Sequence, residues 1–175
     1  KGLAVGILLL PDTPPTRQET GKININSTTA IRMLLDRAAT VDEAIAMLKE
    51  YDMHDSANSC FHYQITDAAG NSVIIEYVNN EMQALKPEAT YQVCTNFFQT
   101  PGEKYNFGVG QERYNIVMNG LKEKDGVITP EYGMNLLKAA RMIDEPDEKT
   151  GIIYNTQWSA VYNNNQKCVD LAIGK

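Results

Sequence analysis

The chain has no apolar run approaching the roughly 20 residues that a bilayer span requires. Its longest, "LAVGILLL" from Leu3 to Leu10, reads instead as a buried strand. It also lacks a basic stripe. Its 16 Lys+Arg are scattered among 22 Asp+Glu, giving a net charge of −6, and that distribution argues against phosphate-backbone binding. Neither a membrane nor a nucleic acid is an expected partner. Cysteine is scarce: Cys60, Cys94 and Cys168 are an odd, widely spaced set with no CxxC pair. No disulfide framework, zinc pattern, metal or cofactor is therefore expected, and the thiols read as buried. Internal repeats, low-complexity linkers, a signal peptide and an initiator Met are also missing. A chain that opens at Lys1 directly into an apolar run is expected to be a fragment or processed form. Its compartment, cytoplasmic or exported, is not legible from this end.

What is present is a globular composition. The 175 residues are 43% hydrophobic and 22% charged, as expected of one domain over 1–175 able to bury a substantial core. The three prolines of "PDTPPTRQETG", Pro11 to Gly21, mark a loop. "STTAIRMLLDRAA" then spaces Ile31, Leu34, Leu35 and Ala38 at helical intervals, with Ser27 or Thr28 as cap. "TVDEAIAMLKEYD" follows with Thr40 and Glu43 in capping-box register and Val41, Ala44, Ile45 and Leu48 on one face. "SCFHYQITDAAGNSVIIEYVNNEMQAL" changes period and predicts an antiparallel meander with turns at "DAAGN" and "NNE". "GQERYNIVMNGL" and "TPEYGMNLLKAARMI" return to helical spacing, the second with Thr129 as N-cap and Pro130 at the first helical position. "TQWSAVYNNNQKCVDLAI" reads as two strands around Asn163–Asn165. Segregated helices and antiparallel strands point to a layered α+β fold.

The candidate chemistry centres on "VCTNFFQTPGEKYNFGVGQERYN", Val93 to Asn115. A nucleophilic Cys94 needs a base or positive dipole to form a thiolate, and nothing local supplies a histidine, so a buried strand cysteine is the favoured reading. Cys60 and His62 lie two residues apart on one strand face and resemble half a metal site or a Cys/His dyad. Their side chains should run parallel, however, with no third ligand or orienting Asn, so coincidence is favoured. His54, after a helix, reads as a solvated or capping residue. Asn96 is either an ordinary turn asparagine or an amide aimed at a developing oxyanion, and Arg113 either a surface charge or a cation that lowers a thiol pKa. The residues alone favour the plainer reading of both. Trp158, Tyr63, Phe97 and Phe98 fit an acyl pocket or the core, with core the commoner role.

Several segments together resemble the choloylglycine hydrolase family. They are "KGLAVGILLLP", "TTAIRMLLDRAATVDEAIAML", "FHYQITDAAGNSVIIEY", "VCTNF", "GQERY" and "TQWSAVYN". More narrowly, they are similar to its linear amide C–N hydrolases, which include conjugated bile acid hydrolases and penicillin V acylases. The resemblance implies the four-layer αββα fold of N-terminal nucleophile hydrolases and a small-molecule amide substrate. It also implies a processed N-terminal cysteine whose α-amine is the base, passing through a thioester acyl-enzyme. In "VCTNF", Asn96 matches the family asparagine that helps hold the oxyanion and the nucleophile's neighbourhood. In "GQERY", Arg113 matches the arginine beside the nucleophilic thiol. Leu9 stands where bile acid hydrolases carry asparagine and penicillin V acylases tyrosine. The family's nucleophile and a nearby aspartate precede the "GLAV" strand, so the chain from Lys1 is expected to be inactive alone and its fold incomplete. Two other readings stand beside the hydrolase: a non-catalytic small-molecule-binding relative and an acyltransferase of the same fold. A homo-oligomer is left open.

Overall fold

The computed structural model describes residues 2–102, 108–147 and 150–174. The elements run β1 (Ala4–Leu10), β2 (Ile23–Asn26), α1 (Ser27–Arg37), α2 (Val41–Leu48), β3 (Tyr51–His54), β4 (Cys60–Thr66), β5 (Ser72–Val78) and β6 (Glu81–Leu85). They continue with β7 (Asn96–Phe97), β8 (Gly108–Val109), α3 (Gln111–Glu123), α4 (Pro130–Ala139), β9 (Glu145–Pro146), β10 (Ile153–Tyr154), β11 (Trp158–Asn163) and β12 (Cys168–Ile173).

The main sheet is antiparallel in the order β1-β4-β5-β6. Side-chain alternation divides it into two unlike faces. Tyr63, Ile65, Val73, Ile75 and Tyr77 face the helices, where Ala30, Leu34 and Ala38 around α1 and Val41, Ala44 and Leu48 of α2 close the principal core. The opposite face carries Cys60, His62, Ile74 and Glu76, all buried. The chain from Tyr91 to Thr100 runs along it, anchored by hydrogen bonds from Gln64 Nε2 to Gln92 O and from Ser72 Oγ to Gln92 Oε1. Beyond lies the antiparallel hairpin β11–β12, packed against α4, which in turn packs on α3. Gly120 permits that helix contact, since a Cβ there would meet Leu136 Cδ2.

The capping chemistry differs from expectation in one place. Thr40 and Glu43 form the reciprocal capping box of α2, and Thr129 caps α4 with Pro130 in its first turn. On α1, however, the cap is Asn26, whose Oδ1 accepts from Thr29 N–H. Ser27 instead donates its hydroxyl to buried Asp55. His54 is half-buried and not a helix cap: it ends β3, and its Nε2 lies 2.8 Å from Gln18 O. β2 and β3 form a parallel pair, with Ile23 opposite Tyr51 and α1–α2 as the crossover. These strands are only four residues long, and the Pro11–Gly21 loop bridges to β3 through Arg17 and His54. Such short strands leave no periodic signal. No helix among the described residues is long and apolar enough to cross a membrane.

Candidate functional site

Asn96 and Arg113 are brought together at the exposed edge of β1. β7 pairs antiparallel with β8, placing Asn96 opposite Val109, and the chain then turns through Gly110 into α3, whose first turn carries Arg113. Two glycines make this approach possible. A Cβ on Gly108 would collide with Asn96 O, and one on Gly110 would lie 2.6 Å from Arg113 Nη2. Both residues also have positive φ, which disfavours any side chain there. The Phe97 and Tyr114 rings meet edge to face, with centroids 5.2 Å apart, and hold α3 against β7. Residues 103–107 of the Val93–Asn115 stretch lie outside the described residues.

The Asn96 carboxamide is oriented from both ends. Arg113 Nη2 donates to its Oδ1 at 2.9 Å, and its Nδ2 donates to Leu9 O at 2.8 Å. Leu9 thus meets Asn96 through its backbone carbonyl. An amide nitrogen carries two hydrogens, and among the described residues one has a partner. Partial burial draws the Arg113 guanidinium below its ordinary pKa, with the Glu145 charge acting against that shift.

Cys94 lies in irregular backbone before β7 rather than in the strand expected for it, and it has a histidine after all, supplied by β4. His62 Nε2 lies 3.3 Å from Cys94 Sγ, but Nδ1 is also only 3.7 Å away. Near-equal distances put the sulfur against the imidazole face, off the line of either ring N–H. Both nitrogens have acceptors of their own: Nδ1 faces Glu76 Oε1 at 3.0 Å and Nε2 faces Thr95 O. Burial first, and the Glu76 charge second, push the Cys94 thiol far above its ordinary pKa. This is an inert thiol rather than an activated dyad. Cys60 is buried in a separate small cluster with Leu10 and Phe98. The alternation of β4 placed His62 on this face, but the partners Glu76 and Cys94 are tertiary and gave no local signal. Tyr63, Phe97 and Phe98 are buried, whereas Trp158 stands 58% exposed on the hairpin. No cluster of three or more His, Cys, Asp and Glu suited to a metal occurs among the described residues.

Comparison with solved structures defines the class first. A penicillin V acylase from Agrobacterium tumefaciens matches with a TM-score of 0.74 at 18% identity, over 98% of this chain and 60% of that one. A cysteine-to-alanine mutant of conjugated bile acid hydrolase from Clostridium perfringens matches with a TM-score of 0.69 at 15% identity, over 98% of this chain and 70% of that one. The fold is therefore that of the N-terminal nucleophile hydrolases. The acyl-coenzyme A:6-aminopenicillanic acid acyl-transferase family model matches residues 1–175, and the chain belongs to that family. A curated penicillin V acylase from Pectobacterium atrosepticum is 30% identical over 106 residues, 55% of this chain but 28% of that protein. The chain spans 60% of the length of one of these acylases and matches 28% of the other.

Proposed function

We propose that this chain supplies the oxyanion-stabilising part of an amidase that cleaves a linear carbon–nitrogen amide bond through an N-terminal cysteine. The observation that carries this is the two-ended restraint on Asn96. Arg113 occupies the amide oxygen at 2.9 Å, which turns the NH2 group away and polarises it as a donor. Further support comes from the names of the matched proteins, two penicillin V acylases and a conjugated bile acid hydrolase. In the proposed reaction the cysteine α-amine takes the thiol proton and sulfur attacks the amide carbonyl. The Asn96 N–H that does not bind Leu9 then donates to the developing oxyanion. Collapse expels the amine as it gains a proton, leaving a thioester that water cleaves to the acid.

The test uses the full-length protein in its native, processed form. N-terminal sequencing and intact mass before and after thiol alkylation should reveal an alkylatable N-terminal cysteine. Its absence would favour the ligand-binding relative. With amide substrates such as penicillin V and bile acid conjugates, Asn96→Ala should lower kcat by about 10²- to 10³-fold while changing KM little. Arg113→Ala should act in the same direction, and Arg113→Lys should rescue it poorly because an ammonium does not reproduce the guanidinium geometry. Unchanged kcat in Asn96→Ala would remove the oxyanion role. The printed description of the family, an acyl-transferase, favours one second reading, in which an amine rather than water receives the acyl group. Product analysis with added amines separates the two.

A further inference from the structure

On the buried face of the main sheet, two ionisable side chains have no place in the reaction above. They are His62 on β4 and Glu76 on β5, both completely buried. Each spends its polar atoms on the segment that carries Asn96. His62 Nε2 bonds Thr95 O, on the N-terminal side of Asn96. Glu76 Oε1 accepts from Gln99 N–H at 2.7 Å, and its Oε2 accepts from Thr100 N–H at 2.9 Å and the Thr100 hydroxyl at 2.6 Å, on the C-terminal side. The His62 Nδ1 contact to Glu76 Oε1 at 3.0 Å joins the two clamps.

The donor count explains why the acceptor is a carboxylate. Four donors converge on Glu76: His62 Nδ1–H, Gln99 N–H, Thr100 N–H and the Thr100 hydroxyl. Two carboxylate oxygens offer about four lone-pair sites, whereas an isosteric amide would turn two N–H groups toward donors. His62 faces an acceptor at each nitrogen, Glu76 Oε1 and Thr95 O. Burying a carboxylate is costly unless its lone pairs are met, as the donors around Glu76 meet them. A simple strand-to-loop contact would not need such a group.

We infer that Glu76 and His62 are positioning residues for Asn96: together they set the backbone from Thr95 to Thr100, and through it the direction of the Asn96 amide. This rests on the amidase reading for its kinetic consequence but not for its geometric one. In the full-length processed protein, Glu76→Gln should lower kcat at least ten-fold with KM changed less than two-fold. Thr100→Val, a gentler change that removes one donor, should lower kcat several-fold in the same pattern. Leu34→Ala, in the core on the other face, is the control. Assayed well below its melting temperature, it should lose as much Tm as Glu76→Gln and keep its kcat. A Glu76→Gln variant that folds and retains kcat within two-fold would overturn the inference. If Glu76→Gln does not fold, Thr100→Val decides on the same criterion. Should the parent protein cleave no amide, the amidase reading fails separately and the readout becomes the Asn96 side-chain amide resonances of ¹⁵N-labelled protein. Those should shift in Thr100→Val and stay in place in Leu34→Ala. Resonances unmoved in Thr100→Val would overturn the positioning role.

Discussion

Cys94 and His62 lie close enough to suggest a catalytic dyad, and their directions forbid one. A base must accept along its lone pair, yet both imidazole nitrogens are already committed, to Glu76 and Thr95, with the sulfur on the ring face. The raised pKa of Cys94 has a definite consequence: at neutral pH it holds almost no thiolate, the form that reacts. Iodoacetamide at pH 7.5, followed by peptide mass analysis, should therefore modify exposed Cys168 first and leave Cys94 and buried Cys60 unmodified until the protein unfolds. Labelling of Cys94 at a rate matching Cys168 would show that the thiol is ionised and reopen it as a nucleophile. The same experiment serves the functional test, because any additional rapidly alkylated thiol would stand out from these three.

Asp67 shows how one side chain joins elements that sequence treats as separate. It follows β4 and is buried, and its carboxylate accepts from Val41 N–H at the start of α2 and from Ala69 and Asn71 in the β4–β5 turn. Burial alone would raise its pKa, but the bonds from Asn71, Val41 and Ala69 outweigh that and hold it below its ordinary value. Glu76 behaves alike, with burial opposed by bonds from His62, Thr100 and Gln99. A carboxylate with a depressed folded pKa adds stability that is complete above its unfolded value of about 4 and disappears as pH falls through the folded value. Urea midpoints should thus hold steady from neutral pH to about pH 5 and decline below about pH 4. Asp67→Ala should cost about 1–3 kcal/mol at pH 7, the penalty for unpaired buried N–H groups, and flatten the acid decline. A loss below about 0.5 kcal/mol would mean that water replaces the carboxylate.

Stability is distributed unevenly across the molecule. The buried apolar residues lie mostly between α1–α2 and the main sheet, with a smaller set including Leu10, Cys60 and Phe98 apart from them, whereas from Gly108 onward Gly133 is the only buried residue among those described. Elements with few buried apolar contacts open at lower free energy than the core. Native-state hydrogen exchange should find the slowest amides in β4 and β5, with α3, α4 and the β11–β12 hairpin exchanging through a lower-energy opening. Uniform protection across both halves would contradict this. The boundary passes through the candidate site, since Asn96 belongs to the segment clamped to the sheet and Arg113 to α3.

Sequence by itself determined the elements with strong periodicity and their caps: the α2 capping box, Thr129–Pro130 at α4, the β4–β5–β6 meander and the closing hairpin. All depend on interactions within a few residues, where spacing decides geometry. It also singled out Asn96 and Arg113, but only the resemblance favoured their functional reading, because a lone asparagine and a lone arginine carry no local signature. Tertiary structure decided the parallel β2–β3 pair, the state of Cys94 and the partners of His62. Glu76 attracted no notice in the sequence, where it is one charge in an apolar strand. Its meaning comes from Gln99, Thr100 and His62, up to 24 positions away, which meet it only when the sheet folds over the Asn96 segment. Hydrogen-bond direction and burial are properties of that meeting, so no reading of local pattern could supply them.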